Sequence, residues 1–271
     1  RLAQACFSHP RPKGPNSCLH YLPIELSVDE KWTEATLTLK RTAKELIRHV
    51  LYRMGHRRKY AHLSGDRSAN FNTIYRTGVW QHGDGDIPGS GTGSTIDATA
   101  SLRSELANAI CEYGIASLLD IGCGDFTWMQ HTGIECDYTG VDIVPGVIAA
   151  NTKSYANDKR KFLVADFVEN NQGLKADAVL CREVLFHLSL ADARSVIRNA
   201  LGTGCRYLLL TSDKGTKFNS NIVSGDFRLL NLQRRPFTLP KPLQAIRDEN
   251  GGEAPGRIVG IWDAEDVRKQ F

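Results

Sequence analysis

From residue 100 onward the chain alternates two hydrophobic rhythms. Short apolar runs at 116–119, 138–141, 162–165, 178–181, 206–211 and 257–261 have strand length and little internal alternation. Strands buried on both faces read this way. Between them, apolar residues recur every three or four positions. Leu102, Leu106, Ala109, Ile110 and Tyr113 form one such series, Val147 and Ile148 a second, and Ala193, Val196, Ile197, Ala200 and Leu201 a third. That is the period of a helix with one buried face. Ser94-Thr95-Ile96-Asp97 has the form of a capping box and predicts the start of the first helix, with Gly114 as its stop. Ser189 predicts the cap of the third. Repeated β–α units predict an α/β fold with a doubly wound parallel sheet and helices on both faces. In such sheets ligands sit at the carboxyl ends of the strands, where the strand order reverses.

The first 69 residues follow a different pattern. Residues 1–27 hold four prolines and no period, and predict an extended arm. Residues 29–57 predict a helix, with Ala43, Leu46, Ile47, Val50, Leu51 and Met54 on one face and Lys40, Arg41, Lys44, Arg48 and Arg53 mostly off it. Besides binding a nucleic acid, two placements fit this basic amphipathic helix. It can pack on the main domain with its charged face in water, or lie on an anionic membrane surface at the inner face of the membrane. No aromatic residues interleave with the basic ones as base stacking would require. Residues 78–95, with five glycines from Gly83 to Gly93, predict a loop. The expected division is an arm and basic helix over 1–69 and one α/β domain over 70–271.

Composition narrows the class. Of 271 residues, 41% are hydrophobic and 24% charged, which excludes a collagen, a coiled-coil rod and a mostly disordered chain. No apolar run approaches the length of a membrane-spanning helix. Residues 1–60 hold 12 Lys/Arg against 5 Asp/Glu, a net of +7, and the remainder 22 against 25, a net of −3. A nucleic-acid partner therefore finds no basic surface in the main domain. Seven cysteines, none in a CxxC pair, predict no metal site, no complete disulfide framework and reduced thiols in a cytoplasmic setting. The chain opens on Arg1 rather than Met, so a fragment or processed product is expected.

The sharpest local signal is Asp120-Ile121-Gly122-Cys123-Gly124 at the end of an apolar run, with Asp142 twenty residues beyond Gly122 at the end of the next. Glycines there permit a tight turn and close approach of a ligand to the backbone. A carboxylate at the second strand's tip can accept both hydroxyls of a ribose. A dinucleotide fingerprint would place a third glycine at 127, where this chain has Thr127 between Phe126 and Trp128. No P-loop occurs.

These residues resemble the first two motifs of the class I S-adenosylmethionine (SAM)-dependent methyltransferases. A third motif resembles Ala165-Asp166-Phe167, and a fourth resembles 177–181 running into Arg182-Glu183-Val184-Leu185-Phe186-His187. The flanks, Phe71-Asn-Thr-Ile-Tyr75-Arg76 with Trp80, Gly89 to Ser94, Asn221-Ile222, Gly225-Asp-Phe-Arg228 and Leu239-Pro240, resemble a bacterial methyltransferase family often linked to polysaccharide and glycan biosynthesis. Phe227 stands where that family leads one to expect tryptophan.

The resemblance implies a Rossmann-like, mostly parallel seven-stranded sheet and SAM as cofactor, with S-adenosylhomocysteine (SAH) as product. It implies cofactor contacts from Asp120, Gly122, Cys123, Gly124, Asp142, Ile143, Asp166, Phe167 and Cys181, with Trp80 closing over the site and Arg76 meeting the methionine carboxylate. Trp128, Arg182, Asn221 and Arg228 are the implied acceptor contacts. His187 and Glu183 are the candidate bases for a hydroxyl acceptor, on one face if the chain continues as a helix beyond the fourth strand. The expected reaction is O-methylation of a glycan or glycosylated intermediate. The alternatives are a small-molecule or nucleic-acid acceptor, or a non-catalytic methyltransferase-like assembly protein.

Overall fold

The computed structural model describes residues 34–55, 66–81, 86–249 and 255–271. The arm expected over 1–27 lies outside them. Seven strands form one sheet: β1 (Ser117–Ile121), β2 (Asp137–Asp142), β3 (Arg160–Val164), β4 (Ala178–Cys181), β5 (Tyr207–Asp213), β6 (Gln244–Arg247) and β7 (Arg257–Asp263). Their order is β3-β2-β1-β4-β5-β7-β6. The first five are parallel, and β7 runs antiparallel to β5 and β6. This is the Rossmann-like, mostly parallel seven-stranded sheet the sequence led one to expect. The order reverses between β1 and β4, which opens a crevice at their carboxyl ends.

The apolar strands are explained by burial on both faces. Leu119 and Ile121 of β1, Val179 and Cys181 of β4 and Leu208 and Leu210 of β5 join one core. Leu118, Ala178, Leu180 and Leu209 turn to the other. The first core is closed by α5 (Leu190–Leu201), through Val196, Ile197 and Ala200, and by Phe71 and Ile74 of α2 (Arg67–Thr77). The second is closed by α3 (Ala100–Glu112), through Leu102, Leu106 and Ile110, and by Ile148 of α4 (Pro145–Tyr155). A short α6 (Ala264–Arg268) follows β7.

Three local expectations change. Ser94-to-Asp97 does not cap α3. Ser94 ends a 3-10 turn, and the chain makes a further turn held by Thr95 and Thr99 before the helix starts at Ala100 with Thr99 as N-cap. No helix continues from β4, because Glu183 adopts φ +58 and only a 3-10 turn over Leu185–His187 follows. The third concerns the basic helix, α1 (Glu34–Arg53). It does not pack its apolar stripe on the domain: Leu46, Ile47, Val50, Leu51 and Met54 are exposed. Its polar side faces inward, where Glu45 accepts a hydrogen bond from Ser220 and the His49 ring meets Phe218 edge-on at 5.1 Å.

Candidate functional site

The crevice between β1 and β4 is a cleft with a cavity volume of about 130 Å³ that opens to solvent. Its floor is the turn after β1. Gly122 and Gly124 have φ of +71° and +56°, in the left-handed region. Space excludes side chains there as well. A Cβ on Gly122 would stand 2.3 Å from Val184 Cγ2, and one on Gly124 2.2 Å from Ser90 Oγ.

Asp142 holds this turn from the tip of β2. Its Oδ2 accepts the Gly124 amide at 3.2 Å and its Oδ1 the Val144 amide at 2.9 Å. The Ile143 amide also favours the ionised carboxyl. Burial pushes the carboxyl up to about 6, against the lowering effect of those amides. Asp120, also buried, accepts from the Tyr138 hydroxyl at 2.7 Å and is pushed up to about 7, again mainly by burial. Beyond Asp142, Ile143, Ala165, Phe167 and Val168 give the cleft an apolar wall.

A second layer comes from before the sheet. The Ser90 amide donates to Asp125 Oδ2 at 3.0 Å, and the Asp125 amide donates to Ser90 Oγ at 2.9 Å. The Tyr75 hydroxyl lies 3.0 Å from the same Oγ. This reciprocal pair fastens the 86–95 loop to the glycine turn and brings Tyr75, Trp80 and Ser94 to the cleft. Trp80 packs on the His187 ring at 4.8 Å between centroids, and half-exposed Phe227 lies 5.4 Å from that ring on another side.

His187 is half-buried on the cleft wall. Its Nδ1 is 3.0 Å from the Asp226 carbonyl oxygen, which can only accept, so Nδ1 carries the hydrogen and Nε2 the free lone pair. Burial lowers the ring to about 4, so the imidazole is neutral at physiological pH. The other candidate base, Glu183, is placed differently. Its carboxylate is ion-paired with Arg257 and lies 3.8 Å from Arg182 Nη1. The two candidates face the same cleft without sharing a helix face.

Arg182 is buried at the tip of β4. Its Nε and Nη2 donate to Asp248 at 3.0 and 2.8 Å, Nη2 also donates to the Gly93 carbonyl, and the guanidinium lies over the Trp128 ring at 5.0 Å. It lines the cleft, with Trp128, as a brace between β4, β6 and the preceding loop. Asp166 and Phe167 line the cleft too, but Asp166 is already engaged: Oδ2 accepts from Arg67 Nε and Nη2 at 3.2 and 2.8 Å, and Oδ1 from the Val168 amide at 2.9 Å.

Four expected contacts lie elsewhere. Arg76 is on the exposed side of α2, beside a separate depression with Asn72 and Tyr155. Cys181 is fully buried in the core, and its thiol is pushed far up by burial, as is that of Cys123, which does line the cleft. Asn221 accepts the amides of Leu190 and Ile222 at 2.8 and 3.0 Å, and so supports the start of α5. Arg228 is 1% exposed. It donates to the carbonyl oxygens of Ser220, Leu185, Phe186 and Leu188 at 2.7–3.1 Å, which pins the turn that carries His187. Conversely, Arg67, Phe71, Tyr75, Ser90 and Ser94 line the cleft without having been assigned to it. Four of these five belong to the flanking segments whose resemblance was noted, and that was the available signal.

Residues 119–203 match the family described as "Methyltransferase domain". No curated protein matches the chain. Among solved structures, the chain is similar to the methyltransferase domain of a bacterial Hen1 protein, CtHen1-C, with 14% identity and a TM-score of 0.38 over 43% of this chain and 66% of that one. The match thus spans just under two thirds of that protein. Magnesium protoporphyrin IX methyltransferase (ChlM) from Synechocystis PCC 6803 with bound SAH is 18% identical, with a TM-score of 0.38 over 63% of this chain and 73% of that one. The N-methyltransferase NodS from Bradyrhizobium japonicum WM9 in complex with SAH is 20% identical, with a TM-score of 0.40 over 52% and 73%.

Proposed function

We propose that the cleft binds SAM and that the protein transfers its methyl group to a hydroxyl of a carbohydrate-class acceptor. The observation that carries this reading is Asp142. It is a buried carboxylate at the tip of β2 that lines the cleft and is tied to a turn whose two glycines leave no room for side chains, the position from which it would take the hydroxyls of a ribose. Hydrogen bonds to such a charged group are worth roughly 1.5–3 kcal/mol each. Ile143 and Phe167 offer the apolar surface a purine would cover, and the match of 119–203 to the methyltransferase domain agrees.

When bound, the cofactor supplies a methyl group on a sulfonium, whose departure leaves a neutral thioether. What the chain must add is alignment, exclusion of water and a destination for the acceptor's proton. His187 is suited to the last task. Its tautomer is set by Asp226, its Nε2 is unprotonated, and Trp80 and Phe227 hold the ring from two sides. As the acceptor oxygen takes the methyl group, its proton passes to Nε2. General-base help of this kind is typically worth ~10²–10⁴-fold. Glu183, paired with Arg257, instead holds the cleft edge together.

Two features support a carbohydrate acceptor. The flanking motifs resemble a family often linked to glycan biosynthesis, and half-exposed Phe227 beside His187 offers a flat apolar face of the kind a sugar ring packs against. Calorimetry with SAM and SAH tests the cofactor, with micromolar binding expected and its loss in Asp142→Ala. Unchanged binding in that variant refutes the ribose assignment. Mass spectrometry of glycan acceptors after incubation with labelled SAM tests the reaction.

A further inference from the structure

We infer that α1 seats the protein on an anionic lipid surface through an apolar stripe that the fold turns outward. This stands apart from the methyl-transfer reading and does not depend on it. The stripe consists of Leu39 (70% exposed), Leu46, Ile47, Val50, Leu51 and Met54 (66%), side chains that a helix packed by its apolar face would bury. The opposite face of the same helix makes the contacts with the domain. Glu45, paired within the helix with Arg48 at 3.2 Å, takes the Ser220 hydroxyl, and Arg41 approaches buried Asp213 to 4.0 Å. The domain holds the polar side and leaves the apolar side to something else.

Charge selects the occupant. From the start of α1 to position 65 the chain holds two acidic residues, Glu34 and Glu45, against eight Lys and Arg. Glu45 faces inward, whereas Lys44 and Arg53 are exposed beside the stripe. A second copy of this helix would set the cations beside the stripe, Lys44 and Arg53, against further cations. Lipid phosphates answer them directly, and apolar burial flanked by lysine and arginine is the pattern of a helix lying in the membrane interface. Among the described residues no helix is long and apolar enough to cross a membrane, so the attachment is peripheral. Position adds a consequence. The contacts of α1 fall on residues 213–220, which follow the carboxyl end of β5, and this is the end of the sheet where the cleft opens. Seating α1 therefore brings the cleft's end of the sheet toward the lipid, where an acceptor carried on a lipid would be presented.

The test is co-sedimentation of the full chain with vesicles of phosphatidylcholine alone and of phosphatidylcholine with phosphatidylglycerol, at low and high salt. Binding is expected to the anionic vesicles only, falling about tenfold or more at high salt. The double substitution Leu46→Glu with Val50→Glu should also reduce it about tenfold or more, with circular dichroism and melting unchanged because both positions are exposed. Leu243→Glu, an exposed apolar position elsewhere, should bind like the parent. Absence of binding to anionic vesicles at low salt overturns the inference, as does binding that the double substitution leaves intact. A dimer in sedimentation velocity that the same substitution splits would assign the stripe to a second copy instead. Salt-dependent RNA binding without vesicle binding would likewise overturn it.

Discussion

Replacing Arg228 with methionine isolates what a buried guanidinium does beneath the candidate base. The substitution keeps an apolar chain of similar length and removes four donated hydrogen bonds. Two of the four acceptors keep another donor: the Phe186 carbonyl retains the Arg228 backbone amide at 3.1 Å, and the Leu185 carbonyl retains the Leu188 amide at 3.4 Å. The carbonyl oxygens of Ser220 and Leu188 lose the partners described for them. At ~1–3 kcal/mol for each unsatisfied buried acceptor, the loss is roughly 2–6 kcal/mol. Against this stands the relief of burying a charge, which lowers the Arg228 guanidinium to about 9. The expected net destabilisation is about 2–4 kcal/mol, read from urea unfolding as a shift in midpoint at constant m-value. Two further readouts separate positioning from general damage. SAH affinity should be retained, because neither Asp142 nor the glycine turn touches Arg228. The methyl-transfer rate should fall, because His187 sits on the released turn. A variant within about 0.5 kcal/mol of the parent, or one that loses SAH affinity and rate together, would refute the reasoning.

Three further expectations follow from the cleft. Gly122→Ala places a Cβ 2.3 Å from Val184 in a left-handed backbone and should weaken SAH binding tenfold or more by calorimetry, on the order of 1–2 kcal/mol of strain plus displacement of Val184, whereas Gly146→Ala, with open space around it, should bind normally. The pH dependence of kcat at saturating SAM should show its acid limb near pH 4 rather than near 6.5, following His187, and a limb near 6.5 that persists in His187→Gln would assign the base elsewhere. For Asp120 and Asp142, folded values of about 7 and 6 exceed the ordinary 3.8, so the folded state binds more protons between these limits. Their contribution to stability is present below pH 3.8 and lost as pH rises through about 7, while SAH, which favours ionised Asp142, should bind more weakly below about 6; an affinity flat from pH 7.5 to 5 contradicts this.

How much was legible in the sequence depended on burial. Strand β4 lies where its apolar run put it, residue for residue, and Ser189 caps α5 by accepting the Asp192 amide at 3.1 Å. Strand β6 escaped notice because it is an edge strand in which Ile246 alone is buried. Helix α2 escaped because it buries only Asn70, Phe71 and Ile74, too few for a period. Its termini carried the signal instead, Asp66 accepting the Ala69 amide and Gly78 closing the other end at φ +64. Arg228 and Asn221 were assigned to an acceptor on the family resemblance of their segments, which follow β5. Nothing in their spacing shows that backbone carbonyls converge on one of them. The outward stripe of α1 was equally hidden, because periodicity reports that a face exists and not which way the domain turns it.

The antiparallel β7 has a consequence for biosynthesis. It follows the other six strands of the sheet along the chain, yet it inserts between β5 and β6, which do not pair with each other. Until it emerges, the flank of β5, apolar over Leu208–Leu210, is an open edge on the nascent polypeptide, of the kind that recruits foreign strands. Arg257, the first residue of β7 and the ionic partner of Glu183, arrives with it. A polypeptide lacking β7 would therefore have both an unfinished pocket and an open sheet edge, so exposure to aggregation persists until this one strand is in place.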